Sequence, residues 1–97
     1  MVDYTRQDTG YNIGRLVAVW VFANNKDELV NTSTRTKALY NVLDKGLELD
    51  KLTEEAARNG CEDLVGKIGN GKFNYKPATL AAIQFGYYHQ LNDLNRR

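Results

Sequence analysis

The chain has 97 residues, 42% of them hydrophobic and 26% charged, with a formal net charge of +1. That balance excludes a disordered polyelectrolyte and fits a globular chain with one core, since a second core needs more length. One proline, one cysteine and no repeated or low-complexity tract exclude a solenoid and an internal disulfide, and a lone cysteine fits a reducing cytoplasm.

The first expected element is a buried helix from about Gly10 to Asn24, with Asp8 or Thr9 as its cap. Ile13, Leu16, Val17 and Trp20 fall at helical spacing, whereas Val17, Val19, Val21 and Phe22 also suit a strand; period alone does not separate the two in a short apolar run. Its longest apolar stretch, Leu16 to Ala23, falls short of the ~20 residues that cross a bilayer. It has no basic leader or small-residue cleavage site, so neither a membrane span nor a signal peptide is expected.

A second helix is expected after the hydroxyl-rich segment Asn31 to Thr36, capped by Ser33 or Thr34, with Leu39, Val42, Leu43 and Leu47 as its apolar stripe and Gly46 interrupting or ending it. The third is expected to start at Thr53, with Glu54 and Glu55 at the positive end of the dipole. Its apolar face would be Ala57, Cys61, Leu64, Val65 and Ile68, and Gly69-Asn70-Gly71 its stop. The fourth begins near Pro77, whose missing N–H suits a first turn. Leu80, Ile83, Tyr87, Leu91 and Leu94 form its stripe, Ala81, Phe85 and Tyr88 widen it, and Gly86 inside it implies close approach by another helix. The sum is an all-α fold: one compact bundle of about four helices over residues 1–97.

Charge is uneven along this bundle. Between Asp44 and Asp63 there are seven acids against three bases, and between Gly66 and Arg97 five bases against one acid. Such asymmetry can build a local positive surface on a near-neutral protein, or simply a solvated helix face.

Catalytic chemistry finds little to work with. One histidine and one cysteine supply no metal site, and no pair has ligand spacing. His89 lacks a neighbouring nucleophile and reads as a hydrogen-bonded structural or interface residue, and Cys61 as a small core hydrophobe. Gly66 to Gly71 lacks the spacing of a phosphate loop. The adjacent acids Glu54-Glu55 and Glu62-Asp63 read as a solvated face. No cofactor, metal ion or catalytic residue is expected.

Binding chemistry is better supplied. Asn31-Thr32-Ser33-Thr34-Arg35-Thr36-Lys37 puts hydroxyls and two bases at a helix start, where unpaired N–H groups and the dipole suit a phosphate; a well-capped helix with incidental charges reads equally from the same residues. Lys72, Lys76, Arg96 and Arg97 could form a second phosphate-tracking patch beside Phe73 and Tyr75, whose rings either stack on bases or belong to the core. The nucleic-acid candidates are therefore Arg35, Lys37, Lys72, Lys76, Arg96 and Arg97.

Two segments carry a family resemblance. Tyr11-Asn12-Ile13-Gly14-Arg15-Leu16-Val17-Ala18 resembles the Tyr-x-hydrophobic-Gly-Arg-Leu-x-Ala helix in the C-terminal part of the type I-C CRISPR large subunit, and Phe85-Gly86-Tyr87-Tyr88-His89-Gln90 resembles that family's closing motif. The resemblance covers about Tyr11 to Leu94. Between the motifs the chain departs from the pattern, with Arg35-Thr36-Lys37-Ala38 where a proline is expected.

In that family the region also exists as a free-standing small subunit, so the resemblance implies a non-catalytic part of an RNA-guided, Cascade-type antiviral complex in the cytoplasm. Its partners would be the large and backbone subunits, further copies of itself, and the guide RNA with opened target DNA, which such proteins hold by sequence-independent contacts. By matching position, Arg15, Tyr87, Tyr88, His89 and Gln90 are expected at packing or subunit contacts. The alternatives are a purely structural adaptor without nucleic-acid contact and a small nuclease, the latter weakened by the missing metal ligands.

Overall fold

A helix whose every side is apolar must be surrounded, and the first helix is. In the computed structural model, which describes residues 1–25, 31–46, 48–68 and 76–96, helix α1 spans Thr9–Asn25 and is buried at every position from Tyr11 to Val19. The strand-like alternation of Val17, Val19 and Val21 is overridden because all three are fully buried, so alternation marks no solvent face. The Asp8 carboxylate accepts from the Tyr11 amide at 3.3 Å and so caps the helix start.

Around α1 stand helix α2 (Thr32–Lys45), helix α3 (Leu49–Arg58) and helix α4 (Leu80–Asn95). Short 3-10 turns cover Glu62–Leu64 and Pro77–Thr79, and the described residues contain no strand. The architecture is thus an all-α bundle of about four helices, with no helix among the described residues long and apolar enough to cross a membrane. Its radius of gyration of 11.9 Å matches the ~12.5 Å expected of a compact chain this long.

Helices α1 and α4 make the main contact, and small residues permit it. A Cβ added to Gly14 would overlap the Ile83 carbonyl and stand 2.8 Å from the Tyr87 nitrogen; one added to Gly86 would overlap the Tyr11 carbonyl. Backbone therefore meets backbone at both glycines. Gly10 flanks the contact, its added Cβ lying 3.1 Å from the Ala82 Cβ. The close approach expected at Gly86 is met by α1. Ile83, Tyr87, Leu91 and Leu94 then close over the core, while Phe85, expected to widen the stripe, is 57% exposed.

Two helix starts differ from expectation. Helix α2 is capped by Asn31, ahead of Ser33 and Thr34: the Asn31 Oδ1 accepts from the Thr34 amide at 3.0 Å, and Thr34 Oγ1 accepts from the Asn31 amide at 3.3 Å. That reciprocal box outcompetes a later start because it satisfies two free donors at once. At the other end Gly46 stops α2 in the left-handed region, with φ +65°, a conformation that costs a side-chain-bearing residue. Helix α3 starts five residues earlier than expected, its cap position falling at Glu48 and not at Thr53. Thr53 lies inside it, its Oγ1 donating back to the Leu49 carbonyl at 2.7 Å, and Glu54 and Glu55 pair with Arg58 further along the same helix.

Helix α3 also ends sooner, at Arg58, where Asn59 and Gly60 turn the chain. Cys61 and Leu64 are nevertheless buried, because the 3-10 turn carries them back into the core, while Val65 is 51% exposed. Leu47 and the stop at Gly69-Asn70-Gly71 lie outside the described residues.

Candidate functional site

The most polar point in the protein is also among the most buried. Arg15 projects from α1 with 1% of its side chain exposed. Its Nε donates to Gln90 Oε1 of α4 at 2.8 Å. Its two terminal nitrogens grip the Asp63 carboxylate at 2.7 and 3.2 Å. One charged group thereby ties α1, α4 and the turn after α3 together, in the two-pronged geometry that suits guanidinium and carboxylate. Asp63, expected on a solvated face, is 37% exposed and serves in addition as this buried arginine's counter-ion. Partial burial alone would raise its pKa, but the hydrogen bonds and charge of Arg15, helped by Lys67, outweigh that and hold it below the usual carboxylate value.

Above this cluster lies the segment 1–8, which folds back over α1. The Val2 amide donates to Asp93 at 2.9 Å and the Asp3 amide to the Tyr11 hydroxyl at 2.8 Å. Tyr11 Oη also lies 2.7 Å from His89 Nδ1. Since Tyr11 already accepts from Asp3, donating its proton to Nδ1 completes the chain when His89 is the neutral Nε2–H tautomer. The Tyr4 ring covers Arg15, its centroid 5.0 Å from the guanidinium carbon.

Tyr4, Gln7, Asn12 and Lys67 line a cleft of about 230 Å³ at this place. Asn12 is 2% exposed and its Oδ1 has no hydrogen-bond partner among the described residues. The Gln90 Nε2 is likewise unpaired and buried.

The remaining residues of the closing motif fasten α4 to α2. The Tyr87 hydroxyl donates to the Arg35 carbonyl at 2.6 Å, and burial pushes its pKa well above the ordinary phenol value. Tyr88 pairs through its hydroxyl with Thr36. Arg15, Tyr87, Tyr88, His89 and Gln90 thus all sit in contacts within the chain.

The basic candidates do not gather into one patch. Arg35 and Lys37 are two residues apart on α2, so they point to different sides of that helix; Lys37 is exposed and Arg35 half-buried. The helix start they were expected to share with a phosphate has already given its Thr34 amide to Asn31. Lys76 and Arg96 are both exposed, but Lys76 precedes the 3-10 turn that leads into α4 and Arg96 follows the last residue of α4, a sixteen-residue helix about 24 Å long lying between them. The single patch expected of Lys72, Lys76, Arg96 and Arg97 is therefore not formed by its two described members. Lys72, Phe73, Tyr75 and Arg97 lie outside the described residues.

A second groove of about 450 Å³ runs along α2, lined by Ser33, Thr36, Lys37, Tyr40 and Asn41. Its Thr36 and Tyr40 hydroxyls are already engaged by Tyr88 and by Gln84. Among the described residues no group of three His, Cys, Asp or Glu side chains could hold a metal ion.

Sequence reasoning missed Tyr4, Asn12, Asp63 and Lys67. The one signal available was Asn12, a polar residue one turn ahead of Arg15 inside an otherwise apolar helix; nothing local distinguished Asp63 from its acidic neighbours. No family model matches the chain, and no curated protein or solved structure matches it either.

Proposed function

We propose that this chain is a non-catalytic small subunit of an RNA-guided, CRISPR-type surveillance complex of the cytoplasm. It packs against large and backbone subunits and steadies opened target DNA through sequence-independent phosphate contacts. One observation carries the reading. The two segments that resemble the type I-C family lie about 75 residues apart in the chain, yet interlock: Gly86 seats on the Tyr11 backbone, His89 pairs with Tyr11 and Gln90 with Arg15. Their contact supports reading the two segments as halves of one packing motif.

With the motif residues turned inward, phosphate contact falls to Lys37, Lys76 and Arg96 on the surface, together with Arg35 and with Lys72 and Arg97. The described ones, on α2 and on either side of α4, would touch a length of strand rather than one phosphate. Each contact is weak alone, and several tethered copies would add them. The test is to purify a tagged chain from its host and identify the proteins and RNA that accompany it. Backbone subunits with repeat-flanked guide RNA are expected; recovery of the chain alone, under conditions that preserve large complexes, overturns the reading.

The adaptor reading is favoured by a different observation, the 57% exposed ring of Phe85 on α4, which suits a protein contact better than a phosphate. It predicts that neutralising every base named above leaves assembly and DNA affinity unchanged.

A further inference from the structure

The cleft beside Arg15 combines four chemistries that are rarely adjacent by default. Tyr4 offers an aromatic ring that is 55% exposed although the Arg15 guanidinium lies 5.0 Å from its centroid. One face of the ring is thus backed by a cation and the rest is open to a second planar group. Asn12 offers a buried acceptor, Oδ1, with no partner among the described residues. A buried polar atom left unpaired demands an explanation. Gln7 adds an exposed carboxamide, and Lys67 an ammonium held only at 3.7 Å from Asp63.

Size narrows the ligand. About 230 Å³ is the share of roughly eight waters in the liquid, below the usual range for drug-sized ligands. It suits one ring system and not two. A planar heterocycle with N–H groups on its edge would stack on Tyr4, donate to Asn12 Oδ1 after a small turn of that buried side chain toward the cleft, and leave an attached phosphate near Lys67. A nucleobase has that description: its edges carry amino donors, and its face stacks on aromatic side chains in single-stranded recognition.

We infer that this cleft is a seat for one nucleobase, taken either from a free nucleotide or from a single strand. The inference goes beyond phosphate contact by Arg35, Lys37 and the other bases, and needs no partner subunit.

The test is amide-resolved NMR of the full chain titrated with AMP, with inorganic phosphate, and with an eight-nucleotide oligo-dA. The amides of Tyr4, Asn12 and Lys67 are expected to shift with AMP and oligo-dA and not with phosphate at equal concentration. Tyr4→Leu, which keeps apolar cover over Arg15 but removes the ring, should weaken AMP at least fivefold, the lower end of the stacking contribution; Tyr4→Phe should not. Tighter binding of oligo-dA than of AMP assigns a strand as the source, and equal affinity assigns the free nucleotide. Absent shifts, equal shifts with phosphate, or unchanged AMP affinity in a folded Tyr4→Leu variant each overturn the proposal. Co-purification with a CRISPR complex is read separately, so failure of either idea leaves the other standing.

Discussion

Arg15 and Gln90 are 75 positions apart in the chain, and neither side chain reaches solvent, yet Arg15 Nε donates to Gln90 Oε1 at 2.8 Å. This hydrogen bond places a full positive charge inside the contact between α1 and α4, and among the described residues the carboxylate that pairs with it is Asp63, on the turn after α3. The two members of the ion pair are unequally buried, at 1% and 37% exposure, and that inequality sets what each deletion does.

Asp63→Ala strands a buried guanidinium, and should cost about 3 kcal/mol of folding stability. Arg15→Met leaves its orphan carboxylate half in water and fills most of the vacated space, so a smaller loss of about 2 kcal/mol is expected. Urea unfolding of the two variants checks the order; a larger loss for Arg15→Met would show that the pair matters through packing rather than charge.

Acid should act through the same pair. Asp63 is held below its ordinary pKa in the folded protein, as are the exposed Asp3, by hydrogen bonds from Thr5, and Asp8, by its hydrogen bonds to Arg6. A depressed folded value contributes stability that is complete above the unfolded value, near 3.8, and is lost as pH falls through the folded one. Stability should thus be level from pH 7 to about 5 and decline below about 4. Asp63→Asn should decline less over that window, as measured by urea midpoints at each pH.

The glycines of the helix crossing should be far less tolerant than the glycine of a turn. Gly14→Ala and Gly86→Ala each press a methyl group into opposing backbone, which cannot rotate away, and a loss of about 3 kcal/mol or more is expected. Gly46→Ala meets nothing within 4 Å and suffers only its φ of +65°, costing about 1 kcal/mol. Thermal unfolding by circular dichroism separates these two scales.

Tyr87→Phe deletes one oxygen and leaves the Arg35 carbonyl without its 2.6 Å donor. A loss of about 1 kcal/mol, the net contribution of one hydrogen bond, is expected. Amide exchange should quicken in α2 more than in α3, because only α2 is tied to α4 by this hydroxyl.

For DNA, Arg35 and Lys37 diverge around α2 and should act independently. Within an assembled complex, Arg35→Ala with Lys37→Ala should weaken DNA binding and lower the slope of log affinity against log salt by up to about two counter-ions per copy. An unchanged slope removes both from the phosphate-contacting set.

Much of this fold was legible in the sequence. The apolar stripes gave α1 and the later part of α4, Pro77 marked the start of the last helical segment, and Gly86 announced a close neighbour. Helix α3 was misplaced because Thr53 has the chemistry of a cap, while its hydroxyl in fact bonds back within a helix already begun. Its apolar spacing ran on to Cys61 and Leu64 only because a 3-10 turn happens to return both to the core. The Arg15 site was legible only in part: the resemblance placed Arg15 and Gln90 at packing or subunit contacts, but pairing between an arginine on one helix, a glutamine on another and an aspartate on a turn leaves no periodic trace. Asp63, taken alone, looks like any other residue of an acidic, solvated face.

The crossing at Gly14 and Gly86 also sets a timetable. The helix that completes the centre of the bundle is the last of the four to be synthesised, so α1, largely apolar apart from Asn12 and Arg15 in its buried stretch, emerges long before its principal neighbour exists. Until then its glycine-lined face has no cover, and α2 and α3 can shield only part of the remainder. Contacts spanning some 75 residues slow the final closure relative to a bundle of neighbouring hairpins. The nascent chain is thus most exposed to aggregation and to holding chaperones in the interval before α4 arrives.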